Sequence, residues 1–141
     1  MSYFEFRLMH LANGLVAITG IGYGVIKYFF VVEGAYGPEP HASLGTWQHA
    51  HVITAPLLAL LLGAFWKAHA QYLLRKNIKE GRRSGLGLLW FVLPMVFSGY
   101  LIQIAMTDVW RNIFIWIHVV VSVLWIAAYA IHWLAHVRSR A

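Results

Sequence analysis

An all-α transmembrane four-helix bundle is the fold this sequence predicts, on three observations. The 141 residues are 60% hydrophobic and only 11% charged, too apolar for a soluble domain of this length. The apolar residues fall into four runs, each long enough to cross a ~30 Å hydrocarbon core as a helix rising ~1.5 Å per residue. The net charge of +6 is gathered in one segment between runs. Membrane topology accounts for that clustering, so a nucleic-acid partner is not expected. The runs cover about 6–32, 47–74, 86–106 and 110–136, and residues 1–141 read as a single domain.

The first run, Phe6 to Val32, starts too early and runs too long for a cleavable secretory signal. Arg7 opens it and His10 lies one turn in. Asn13, Gly14, Thr19, Gly20, Gly22 and Gly24 give it a small-residue surface, which lets a neighbouring helix or a flat cofactor approach closely. The connector Glu33 to Gly45 is rich in Gly and Pro and reads as a loop. It carries Glu33, Glu39 and His41 but no Lys or Arg, and His41 reads as a solvated loop residue. The second run, Trp47 to Leu74, holds His49, His51 and His69, with Pro56 in its first half. A membrane helix tolerates such a proline where neighbours satisfy the freed carbonyl.

Next comes the basic segment: Arg75, Lys76, Lys79, Arg82 and Arg83 against Glu80, with Lys67 just before it. The excess of positive charge places this loop in the cytoplasm, and four spans then put both termini there too. Arg138 and Arg140 agree with that orientation. The third run, Leu86 to Met106, has no histidine; Pro94, Ser98, Gly99 and Gln103 interrupt it. A short turn at Thr107–Asp108 leads to the fourth, Trp110 to His136, with Arg111 near its start. Trp47, Trp110, Trp116, Trp133 and Tyr36 lie near span ends, as interfacial aromatics do.

Eight histidines and no cysteine narrow the chemistry. Disulfides, thiolate zinc sites, iron–sulfur clusters and thioether-attached haem are excluded. Histidines at bilayer depth are costly unless partnered, and so point to function. His118 and His132 are fourteen positions apart, roughly 40° short of four turns, so they share a face ~21 Å apart along the axis. The alternating spans put His10 level with His132 on the cytoplasmic side, and His51 level with His118 on the outer side. Two imidazoles from different helices can hold one haem iron axially, leaving no open site for substrate. Small residues four positions on, Gly14, Ala55 and Ser122, leave room for a porphyrin edge. At His49 that position is Ile53, which favours His51. A competing register also exists: His51 to His69 and His118 to His136 are both eighteen apart, five full turns, so His69 and His136 would share a depth and hold the second haem, leaving His10 without a role.

These residues carry a resemblance. The chain resembles the four-helix di-haem cytochrome b subunits of membrane formate dehydrogenases and nickel–iron hydrogenases, the formate dehydrogenase gamma subunit above all. The matching elements are Arg7 shortly before His10, a histidine early in the second span, Ser98-Gly99-Tyr100 in the third, and the His118/His132 pair in the fourth. The family's Gly-x-x-x-His element corresponds to Gly45 and His49, so His49 remains an alternative to His51. The resemblance implies two haems b, with His10, His51, His118 and His132 as iron ligands. It also implies a bacterial inner-membrane location, partner oxidoreductase subunits, and a quinone that reacts near the cytoplasmic haem. Here that region holds His69, Arg82, Arg83, Ser84, Gly85 and His136. His69 and His136 are suited to proton exchange with a quinone, since imidazole titrates near neutrality. The chain carries no acid/base dyad, nucleophile motif or phosphate loop of its own. An electron-transfer subunit is therefore expected. A stand-alone cytochrome b oxidising superoxide or quinol is the alternative, and a haem-free proton- or metal-handling protein is a third reading.

Overall fold

The computed structural model describes residues 3–77 and 82–138. Lys79, Glu80 and Arg140 lie outside the described residues. Among those described, four helical stretches are long and apolar enough to cross a membrane: Tyr3–Phe29, Leu44–Gln71, Arg82–Ile104 and Asp108–Ala135. The chain divides into two compact units, Met1–His69 and Ala70–Ala141.

In the first unit, α1 (Tyr3–Phe29) packs against α2 (Leu44–Ala64). Helix α1 is unbroken through four glycines. Each would cost about 1 kcal/mol in a water-exposed helix, but in an apolar medium the backbone has no water to bond to and stays helical. Buried Asn13 is satisfied within the helix, its Nδ2 donating to the Met9 carbonyl at 3.0 Å.

The expected loop after α1 contains a β-hairpin instead. Strand β1 (Val31–Gly34) pairs antiparallel with β2 (Gly37–Pro40), Val31 opposite Pro40 and Gly34 opposite Gly37. The β-branched Val31 and Val32 suit an extended chain. Gly37 takes φ +122°, open to a residue without Cβ. Pro38 and Pro40 are tolerated because a two-stranded ribbon has edges where no N–H is required. Helix α2 carries Pro56 without breaking. It is followed by a π-helical stretch, Trp66–Gln71, and the short α3, Tyr72–Arg75.

In the second unit, α4 (Arg82–Ile104) packs against α5 (Asp108–Arg138). A short turn joins them. Thr107 caps α5, its Oγ1 accepting from the Trp110 N–H at 3.4 Å. Arg111 then ties the turn to both helices: it donates to Asp108 Oδ1 at 3.1 Å and to the Ala105 carbonyl at 3.0 Å. Ser98 and Trp125 are buried. Apolar side chains such as Ile18, Leu60, Phe97 and Val123 are exposed along the helices, as lipid-facing residues are.

Candidate functional site

His118 meets two hydrogen-bond partners on α4. Its Nδ1 lies 3.0 Å from the Met95 carbonyl and 3.1 Å from Ser98 Oγ. A carbonyl only accepts, so Nδ1 carries the proton. The Ser98 hydroxyl spends its own hydrogen on the Pro94 carbonyl at 2.6 Å, leaving its oxygen to accept from Nδ1–H as well. Ser98 is only 2% exposed, so these bonds are what make burying it tolerable. With Nδ1 protonated in the neutral ring, the lone pair sits on Nε2, the nitrogen a metal would take. Gly99 lies against the same ring: a Cβ there would come 3.3 Å from His118 Cε1.

The arrangement recurs one cycle further along the same helix pair. Ser84 Oγ lies 3.0 Å from His132 Nδ1, and a Cβ on Gly85 would come 3.5 Å from His132 Cε1. Ser84 and Ser98 are fourteen residues apart, as are His118 and His132, so antiparallel helices bring each serine to one histidine.

It recurs again in the first unit. Thr19 Oγ1 lies 3.2 Å from His51 Nδ1, and Thr54 Oγ1 lies 3.1 Å from Thr19 Oγ1. Thr19 donates to the Leu15 carbonyl and Thr54 to the Ala50 carbonyl, both at 2.8 Å. With those hydrogens on the carbonyls, the Thr19 oxygen is open to accept from His51 Nδ1–H, the tautomer that puts the lone pair on Nε2. A Cβ on Gly20 would fall 2.8 Å from His51 Cε1. One turn away the Trp47 ring lies over Gly22.

The other predicted residues are placed differently. His10 is half-buried near the start of α1, where Phe6 meets it edge-on at 4.1 Å between ring centroids. Gly14, expected to make room beside His10, has no side chain within 4 Å of where its Cβ would be, among the described residues. His49 is exposed, whereas His51 faces α1. His69 is half-buried in the π-helical stretch. Such distortions often accompany functional sites. Arg82 and Arg83 are exposed, and Arg82 hydrogen-bonds Asn77. Ser84 and Gly85, expected in a quinone region, are the pair that meets His132. His136 lies on α5, but its side chain is outside the described residues.

His41 makes a useful contrast. Its Nδ1 accepts from the Ser43 backbone N–H at 3.2 Å, so in the neutral ring the proton is on Nε2. That is the opposite tautomer to His118, in a residue of the extramembrane connector.

Among the described residues, no three His, Asp or Glu side chains group as a protein-built metal site would. A haem iron takes four ligands from its porphyrin and needs only one or two imidazoles. A Nδ1-protonated ring seated against a glycine fits that donor requirement. Comparison with protein families, characterised proteins and solved structures finds no match to the chain.

Proposed function

We propose that this chain is a di-haem cytochrome b subunit of a bacterial inner membrane, carrying electrons between a partner oxidoreductase and the quinone pool. His51 and His118 hold one haem b, on the outer side. His10 and His132 hold the other, on the cytoplasmic side. Both termini are cytoplasmic, following the basic segment around Arg75 and Arg83. The observation that carries the reading is the His118 ring, whose Nδ1–H bond to the Met95 carbonyl reserves Nε2 for a metal. The matching partners of His51 and His132 support it.

Bound at these positions, haem b would supply reversible one-electron transfer. The chain's own residues hold the imidazoles in orientation. The apolar helix surfaces keep water from the path between the two sides. His69 and His136, with Arg82 and Arg83, are assigned to quinone binding and proton exchange at the cytoplasmic end.

The test is a reduced-minus-oxidised absorption spectrum of the purified protein, with haem quantified against protein. Two low-spin b-type haems per chain are expected. One haem would remove a proposed pair, with His10 first in question. No haem in intact protein would end the cytochrome reading.

A further inference from the structure

The dipeptide Ser/Thr-Gly occurs three times in the chain, at Thr19–Gly20, Ser84–Gly85 and Ser98–Gly99. In each case the hydroxyl meets the Nδ1 of a histidine on the neighbouring helix, and the glycine lies against the same ring. Glycine alone does not produce this. Gly24, Gly63 and Gly87 meet no such ring among the described residues. Nor does a hydroxyl near a histidine suffice, since Ser43 beside His41 goes with the opposite tautomer.

We propose that these three steps are imidazole cradles that set the redox potentials of the haems, with Thr19 and Ser98 acting on one haem and Ser84 on the other. The inference rests on the di-haem reading above. Its physical basis is the tautomer. An acceptor on Nδ1–H fixes the ring and raises the electron donation of Nε2. A more donating axial ligand stabilises ferric over ferrous iron and lowers the midpoint potential. The glycine lets the ring sit against the neighbouring helix backbone, where the hydroxyl one position before can reach Nδ1. Ser84, Ser98 and Thr19 are therefore positioning residues, acting on iron through a histidine.

The experiment is potentiometric titration of the purified holoprotein, with electron paramagnetic resonance of the ferric haems. The variants are Ser84→Ala, Ser98→Ala, Thr19→Val and Thr19→Ser, with Ser43→Ala as a control outside the spans. Ser84→Ala is expected to raise the midpoint of one haem. Ser98→Ala and Thr19→Val are expected to raise that of the other, each with a change in the ferric g-values. Thr19→Ser, which keeps the hydroxyl and loses only a methyl, and Ser43→Ala should match the parent protein. If Thr19→Val loses its haem outright, retention of haem and potential in Thr19→Ser still supports the cradle. Loss in both overturns it.

Two haems with unshifted potentials in the alanine and valine variants would overturn the inference and leave the di-haem reading standing. So would Ser84→Ala and Ser98→Ala acting on the same haem. A parent protein without haem would bring down both, and the haem assay alone tells that failure apart.

Discussion

The two helical hairpins of this protein are built differently. In α4–α5 the turn is short and Arg111 ties it to the end of α4 and to Asp108. The two helices pack in one register along their length, so two serines fourteen apart meet two histidines fourteen apart. In α1–α2 a β-hairpin separates the helices, and the pair brings together one such contact, Thr19 with His51. His10, the other proposed ligand there, meets Phe6 of its own helix, and α2 contains no Ser/Thr-Gly dipeptide. The difference teaches that a Ser/Thr-Gly dipeptide meets a histidine of the neighbouring helix where the register between the two helices brings them level. The α4–α5 hairpin does this at both ends, and α1–α2 at one.

The largest test of that comparison is removal of the ligands. His118→Ala and His132→Ala should each reduce haem from two per chain to one, and the haem lost should differ between them. His51→Ala should lose the haem that His118→Ala loses, while His49→Ala, at an exposed position, should keep both. Two low-spin haems surviving in both α5 variants would break the assignment.

A smaller, graded effect is expected at the glycines. In Gly20→Ala the new methyl would start 2.8 Å from His51 Cε1, so the ring must move. Gly99→Ala begins at 3.3 Å from His118, and Gly85→Ala at 3.5 Å from His132, an ordinary contact. Haem occupancy and g-values should be disturbed in that order, from severely to scarcely. The reverse order would mean that the glycines do not seat the rings.

Smaller still is the turn. The Arg111–Asp108 pair is largely exposed, so Arg111→Ala should cost about 1 kcal/mol or less of stability, measured by thermal unfolding in detergent. Both haems should be retained, because the packing of α4 on α5 carries the register once formed. Loss of the His118 haem would instead make the turn the source of that register.

The least effect belongs to the connector. His41→Ala removes the Ser43 contacts, with a net cost of about 1 kcal/mol or less. It should leave the haem spectrum unchanged, which sharpens the contrast between the two tautomers.

Much of this arrangement was legible beforehand. Four apolar runs can satisfy their backbones in lipid only as helices, so composition and length determine them. The fourteen-residue spacing of His118 and His132 determines a shared face. The Ser/Thr-Gly dipeptides were equally visible, with the same spacing between Ser84 and Ser98, yet neither serine carries a sign of what it touches. Intrahelical spacing points to Gly14 as room on the face of His10. The glycines seated against rings, Gly20, Gly85 and Gly99, lie on facing helices, which such spacing cannot identify.

The sequence by itself therefore determined the helices, their order and the histidines that share a face, because these depend on local periodicity and on the cost of bare backbone in lipid. Only the tertiary structure decided which hydroxyl meets which imidazole, which nitrogen carries the proton at His118, and that His51 faces α1 while His49 is exposed. Those features depend on the register between helices, and register is a property of two packed surfaces together.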